Sequence, residues 1–286
     1  MAPSDLPAGG QGYIGLPCKI PFFCYHEKRM KLLLSSYTLE PFPLEETFLL
    51  AQEVGADGLE LVLTPAVYRL GLSKIKELSE KYNLPIFNLH QPPWGVFYTG
   101  KRGVRKMIKQ AQSIGAQNIV VHLATVRRSF NSPFFGWIKR IEKESGINIA
   151  FENAASRSLE KWPRYAGEPE KLEKFIQAQN INLTLDVTKA FLAGMDPYQF
   201  FQRNRTHIPA MHFHGFSNGD YHIGFRGRDF DWPGFMSFIK KYDYAGTVTL
   251  EVFPMHKLFY FDLPSREKLE AAKEIVRVDF AVLKRA

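Results

Sequence analysis

The chain has little cysteine, with only Cys18 and Cys24 among its 286 residues. Two cysteines are too few for the disulfide framework of a small secreted protein, so we expect a reducing, cytoplasmic setting. The sequence also lacks an apolar run of the roughly 18 residues that a membrane-spanning helix needs. Its first thirty residues contain no continuous apolar segment of the kind found in secretion signals. We therefore expect neither secretion nor a membrane partner.

The rest of the composition is typical of a globular protein, with 45% hydrophobic, 14% aromatic and 23% charged residues. These fractions argue against a disordered chain, a collagen or a coiled coil. Lysine and arginine together number 37 against 29 acidic residues, which gives a formal net charge of +8. Such an excess favours an anionic partner, either nucleic acid or a phosphorylated metabolite, although positive charge also serves solubility.

Eight short segments rich in Val, Ile, Leu and Phe recur along the chain and predict β-strands. They cover residues 31–37, 58–63, 85–90, 118–123, 147–152, 182–187, 210–214 and 247–252. About eight segments with helical apolar spacing alternate with them, ending with 266–284. This alternation predicts an α/β fold, a (β/α)8 TIM barrel, as one domain over residues 31–286. Residues 1–30, which are rich in Pro and Gly, predict an irregular N-terminal lead-in.

Six of the predicted strands carry an ionisable residue at or near the C-terminal end. These residues are His90, His122, Glu152, Asp186, His214 and Glu251. Each follows an apolar residue, and side chains alternate between the two faces of a strand. The apolar neighbours suit packing against the outer helices, so the ionisable side chains should point into the barrel. The C-terminal mouth of such a barrel is where its enzymes place their chemistry.

Three carboxylates and three imidazoles that converge on one mouth predict a metal centre. Without a cation, these groups would lose hydration and the carboxylates would repel one another. Mixed carboxylate and imidazole ligands suit Zn²⁺ or Mn²⁺ best, while Mg²⁺ and Co²⁺ are compatible. For any one residue, such as His90, the alternative is a polar core side chain with satisfied hydrogen bonds.

The segments around these residues resemble the superfamily of xylose isomerase-like barrels, which includes sugar isomerases, sugar epimerases and endonuclease IV. The resemblance runs from about Lys31 to the C-terminus, mainly over strands three to eight. Its motifs are FENA, LDVTKAFLAGMD, HFHGFSNGDYH and LEVF. It implies that the core metal is held by Glu152, Asp186, His214 and Glu251, and that the two glutamates move the substrate proton. It also makes His90, His122, Asp220 and His222 candidates for binding a second metal or the substrate. We expect His212, two residues before His214, to support the metal ligands rather than to be one of them.

The sequence departs from endonuclease IV at Lys189, where the nuclease has a histidine that binds its third metal ion. A protonated amine cannot ligate a metal and repels a nearby cation. The resemblance therefore favours an isomerase or epimerase, in which Lys189 can hydrogen-bond a developing oxyanion.

Residues on the predicted mouth loops bear on the substrate. Trp94 can wall the pocket or simply pack. The basic residues Arg157, Arg226 and Arg228 favour an anionic substrate, since arginine recognises phosphate and carboxylate groups. We expect a small carbohydrate, phosphorylated or otherwise anionic, rather than nucleic acid, because no recognised nucleic-acid module is present.

The sequence thus predicts a metal-dependent sugar or sugar-phosphate isomerase or epimerase that acts through an enediolate. The alternatives are an abasic-site endonuclease like endonuclease IV and a barrel that binds a ligand without catalysis. The oligomeric state stays open.

Overall fold

A computed structural model describes residues 29–92, 100–122, 132–153, 169–217, 220–225, 230–253 and 264–286. The predicted lead-in over residues 1–30 therefore lies almost entirely outside the described residues.

Eight parallel strands close into a barrel. These strands are β1 (Lys31–Ser35), β2 (Gly58–Val62), β3 (Ile86–His90), β4 (Asn118–His122), β5 (Asn148–Glu152), β6 (Asn182–Asp186), β7 (Ala210–Phe213) and β10 (Thr247–Leu250). Around the barrel they follow the order β1-β10-β7-β6-β5-β4-β3-β2. Two further strands, β8 (Gly215–Ser217) and β9 (Asp220–Ile223), form an antiparallel hairpin after β7. The predicted (β/α)8 barrel is confirmed, whereas the hairpin was not predicted.

The helices lie between the strands in sequence. They are α1 (Leu44–Glu53), α2 (Pro65–Leu70), α3 (Leu72–Tyr82), α4 (Lys101–Ile114), α5 (Ser132–Ser145), α6 (Pro169–Gln179), α7 (Val187–Leu192), α8 (Pro197–Asn204), α9 (Trp232–Lys241) and α10 (Arg266–Arg285), with a short 3-10 helix at Arg205–His207. Side chains that accept backbone hydrogen bonds begin several of them, including Asp196 at α8, Asp231 at α9 and Ser265 at α10. Each such cap satisfies an amide that has no partner within the helix.

The residue that precedes each strand-end ionisable group belongs to the hydrophobic core between strands and helices. These residues are Leu89, Val121, Phe151, Leu185, Phe213 and Leu250, and none is more than 2% exposed. Phe151 packs edge-on against Phe135 of α5, with ring centroids 5.6 Å apart, and Phe213 packs against Phe235 of α9 at 5.7 Å. Because side chains alternate along a strand, this packing directs the neighbouring ionisable residues into the barrel.

Polar side chains connect neighbouring strands inside the barrel. Asn148 donates a hydrogen bond of 2.9 Å to Asn118, and Asn118 donates one of 2.8 Å to Asn88. Asn88 in turn donates to the carboxylate of Glu60, at 3.0 Å. Asn148 is exposed, whereas Asn118, Asn88 and Glu60 are buried and need hydrogen bonds to be stable there, so these bonds fix the layer beneath the strand ends.

Candidate metal centre

Three carboxylates meet at the C-terminal ends of the barrel strands. Glu152 ends β5, Asp186 ends β6 and Glu251 directly follows β10; these residues are only 2%, 0% and 8% exposed. Buried carboxylates are costly unless cations or hydrogen-bond donors compensate their charge. The groups around them therefore decide what this centre can bind.

His212 of β7 links the two glutamates from below. Its Nδ1 lies 2.9 Å from Glu152 Oε1 and 3.1 Å from Glu251 Oε2. Its Nε2 lies 3.1 Å from Glu60 Oε2, so one imidazole contacts three carboxylates. Burial by itself would lower the pKa of His212, but the charges of Glu60, Glu251 and Glu152 outweigh it and raise that pKa well above the ordinary value. The imidazole thus supplies positive charge to the centre.

Lys189 supplies a second positive charge. Asp186 caps α7 by accepting a hydrogen bond of 2.8 Å from the Lys189 amide. The Lys189 side chain returns over this first turn, and its Nζ lies 2.9 Å from Glu152 Oε1 and 3.1 Å from Asp186 Oδ2. The Lys189 side chain is only 12% exposed, so these two carboxylates replace much of its hydration.

Two more histidines lie beside Glu152. His122 Nε2 is 3.0 Å from Glu152 Oε2, and His90 Nε2 is 3.7 Å from the same oxygen. Burial would raise the pKa of Glu152, yet the charges of Lys189, His122 and His212 hold it well below its usual range. Glu152 is thus ionised at neutral pH.

His214 and His222 lie on the other side of the centre. His214 Nε2 is 3.1 Å from Asp186 Oδ2, and the rings of the two histidines are tilted by 31° with centroids 4.1 Å apart. The β8–β9 hairpin returns His222 to the mouth, where its Nδ1 lies 3.7 Å from Glu251 Oε2. Burial, reinforced by the charge of His214, lowers the pKa of His222 to about 4. His222 is therefore neutral near pH 7.

The carboxylates Asp186 and Glu251 are also held in the ionised state. Burial raises the pKa of each carboxyl group. His214 and Lys189 nevertheless lower the pKa of Asp186, and His212 and His222 lower the pKa of Glu251 well below its usual value. Ionised carboxylates are the form that binds a metal ion.

The arrangement fits a divalent cation. One atom from each of Glu152, Asp186, His212 and Glu251 lies within 4.8 Å of all the others, which is close enough for a shared ion. Glu152 Oε2 and Glu251 Oε2 face imidazole nitrogens, but neither makes a well-directed hydrogen bond within the part of the chain that is described. These nitrogen and oxygen donors suit Zn²⁺ or Mn²⁺ once His212 has released its proton, since only a neutral imidazole binds a metal ion.

The structure brings together the residues predicted at the mouth. The three carboxylates of the predicted ligand set, Glu152, Asp186 and Glu251, lie in one group. The imidazole in that group is His212. The predicted ligand His214 contacts the group through Asp186. Two other groups could also hold an ion. The first consists of Glu60, His90, His212 and Glu251, and the second of His90, His122 and Glu152. Asp220 begins β9. The predicted substrate residues Trp94, Arg157, Arg226 and Arg228 lie outside the described residues, so their role stays a prediction.

Three further polar residues shape the centre, and sequence reasoning missed two of them, Asn153 and Gln91. Glu60 lies beneath it and is fully buried. Asn153 accepts a hydrogen bond of 2.8 Å from the Asp186 amide and donates one of 3.0 Å to the Asp186 carbonyl, which ties the end of β5 to that of β6. Gln91 accepts a hydrogen bond of 3.1 Å from the His122 amide. A signal existed for Asn153 and Gln91, since each follows a predicted strand-end residue.

Comparison with known proteins identifies the class to which this fold and centre belong. Residues 48–284 match the family described as xylose isomerase-like TIM barrel. The chain belongs to this family, as its motifs indicated. It is 24% identical over 251 residues to an uncharacterised protein of Mycobacterium leprae (strain TN), covering 78% of this chain and 89% of that protein.

Solved structures share the fold at lower sequence identity. A 3-keto-D-glucoside 4-epimerase from E. coli superimposes with a TM-score of 0.66 at 15% identity, covering 90% of this chain and all of that one. A family 2 AP endonuclease from Brucella melitensis superimposes with a TM-score of 0.64 at 16% identity, covering 82% of this chain and all of that one. At these identities the likeness shows the fold alone.

The helices of the described ranges include none that is both long enough and apolar enough to cross a membrane.

Proposed function

We propose that this chain is a metal-dependent sugar or sugar-phosphate epimerase or isomerase that transfers a proton at a carbon next to a carbonyl. The observation that carries the proposal is a pair of buried glutamates, Glu152 and Glu251, that lie 2.9 and 3.1 Å from one imidazole at the barrel mouth. Several proteins with the same fold are sugar epimerases, which makes this chemistry compatible with the scaffold.

The two glutamates are the acid–base pair. Their lowered pKa values keep both side chains ionised near pH 7, and an ionised carboxylate can accept a proton from carbon. One glutamate removes the proton next to the carbonyl and later releases it to solvent, while the other takes up a proton from solvent and delivers it to the enediolate. His212 contacts both carboxylates and fixes their separation during this exchange.

The remaining groups stabilise negative charge on the substrate. A divalent ion held by Glu152, Asp186, a histidine and Glu251 would polarise the carbonyl and favour the enediolate. Lys189 can donate a hydrogen bond to a substrate oxygen, because its ammonium lies beside Glu152 and Asp186, which would hold the ion that binds the substrate. The predicted basic loop residues would favour a phosphorylated or otherwise anionic sugar.

Solvent proton exchange tests this proposal directly. The metal-loaded protein is incubated in D2O with a panel of ketoses, aldoses and their phosphates, and deuterium next to the carbonyl is followed by NMR. We expect exchange with at least one sugar and a loss of about 10²–10⁴-fold in Glu152→Gln and in Glu251→Gln. The control variant is Glu53→Gln, because Glu53 is an exposed residue of α1.

Two outcomes would contradict the proposal. The first is an absence of exchange over the whole panel with Zn²⁺, Mn²⁺, Mg²⁺ and Co²⁺. The second is metal-dependent nicking of abasic DNA with close to three ions per chain, which would support the endonuclease alternative instead.

A further inference from the structure

Lys189 lies on the same carboxylates that the proposed metal ion would use. Its Nζ is 2.9 Å from Glu152 Oε1 and 3.1 Å from Asp186 Oδ2. Both carboxylates belong to the group of four side chains with mutual distances that suit one shared ion. The ammonium thus already forms two ion pairs at the candidate metal centre.

The position of Lys189 is set by the backbone. Asp186 accepts a hydrogen bond from the Lys189 amide through Oδ1, and Asp186 Oδ2 faces the Lys189 ammonium. The lysine therefore comes from the first turn of α7, whose cap is itself one of the candidate ligands. This local connection keeps the ammonium beside the centre rather than in solvent.

A divalent cation and the Lys189 ammonium cannot both bind Glu152 and Asp186 without electrostatic repulsion between them. Like charges a few ångströms apart repel strongly where water is largely excluded, and Glu152 and Asp186 are 2% and 0% exposed. A divalent ion that takes up these oxygens must either displace the ammonium or bear its repulsion.

We propose that Lys189 is an internal cation that competes with the divalent metal for Glu152 and Asp186, so that metal binding displaces its ammonium toward the substrate position. This inference rests on the proposed metal-dependent function. Lys189 balances part of the carboxylate charge in the metal-free protein, and it weakens the affinity for the metal. After displacement, the ammonium is available to hydrogen-bond a substrate oxygen.

Metal binding by variants of the full chain tests this competition. After chelation and dialysis, Mn²⁺ and Zn²⁺ affinities are measured by calorimetry and the bound ions are counted by elemental analysis. We expect Lys189→Met to bind metal at least tenfold more tightly than the wild type, and Lys189→Arg, which keeps the charge, to bind no more tightly. The matched control is Lys273→Met, because Lys273 is also 12% exposed and ion-paired but pairs with Glu46 instead.

Labelling of the unmodified protein provides a second test that needs no variant. An amine-reactive reagent is applied with and without saturating Mn²⁺, and modification of individual lysines is read by peptide mass spectrometry. We expect metal to increase labelling of Lys189 severalfold while labelling of Lys273 stays constant. Unchanged labelling of Lys189 would overturn the displacement.

The outcomes separate this inference from the proposed function. If the wild type binds an ion and catalyses exchange but Lys189→Met has the same affinity, the competition is refuted and the proposed function stands. Tighter binding by Lys189→Arg would also refute it, because charge would then not be the cause. If the wild type and all variants bind no divalent ion, both proposals fail. Tighter binding by Lys189→Met without sugar exchange would support the competition and remove the epimerase proposal.

Discussion

The substitution Glu60→Gln tests whether the charge beneath the centre holds the barrel together. Three donors converge on Glu60 Oε2, and they are Asn88 Nδ2 at 3.0 Å, His212 Nε2 at 3.1 Å and Thr249 Oγ1 at 3.2 Å. The other oxygen, Oε1, has no hydrogen-bond partner among the described side chains. Glutamine has nearly the same shape but carries no charge.

Glutamine cannot replace the charge of Glu60 in either orientation. If its carbonyl oxygen replaces Oε2, the three donors keep an acceptor but His212 loses its anionic partner. If the amide is reversed, it faces three donors. The substitution also removes the carboxylate that opposes burial most strongly in raising the pKa of His212. Removing one partner of a buried charge pair costs about 3–5 kcal/mol, and we expect a loss of unfolding free energy in this range.

The assay is urea unfolding of the metal-free protein at pH 7, followed by circular dichroism. The control is Glu53→Gln, which removes an exposed partner of Arg277; its Oε1 lies 2.6 Å from Arg277 Nε, and its side chain is 51% exposed. An exposed pair contributes about 0–1 kcal/mol. If Glu60→Gln lost no more free energy than Glu53→Gln, the buried charge pair would not stabilise this barrel.

Three further predictions concern packing, pH and metal. Phe213→Ala should lower the unfolding free energy by about 3–5 kcal/mol in urea titration, because it removes a fully buried ring between β7 and α9; a loss below about 1 kcal/mol would contradict the packing. His222 has its folded pKa lowered to about 4, so the folded state binds fewer protons than the unfolded state between about pH 4 and 6.5, and stability should fall as pH falls through this window. The loss of stability should stay below about 3 kcal/mol, since the His222 side chain is 28% exposed and partly screened by water. The substitution His222→Gln should remove this pH dependence. An unchanged pH profile in the variant would show that His222 is not its cause. Adding Mn²⁺ at about one hundred times its dissociation constant should stabilise the metal-free protein by about 2.7 kcal/mol. The stabilisation should appear as a rise in melting temperature that EDTA reverses. The same rise in an Asp186→Asn variant would show that the ion binds elsewhere.

Local sequence patterns were sufficient to predict the barrel. Parallel strands that are buried on both faces require short apolar runs. The predicted segments 118–123 and 182–187 start at the first residues of β4 and β6. The alternation of side chains also predicted that Phe151 and Phe213 would pack against helices. This information is local, because it depends only on which face of a strand each residue occupies.

The hairpin β8–β9 was beyond this kind of prediction. Its strands have three and four residues, too few for a period to emerge from the surrounding loop. Only the fold shows that the hairpin brings His222 back to within 3.7 Å of Glu251.

The sequence by itself determined the fold and the group of residues at the mouth, since each strand-end position follows from alternation and spacing. Only the tertiary structure decided how those residues pair. Glu60 lies 152 positions before His212, yet the two side chains are 3.1 Å apart because β2 and β7 both face the barrel interior. Lys189 reaches Glu152 because β5 and β6 are neighbours in the closed sheet. Closure of the barrel places charges from distant segments within hydrogen-bonding distance, and no local pattern carries those distances.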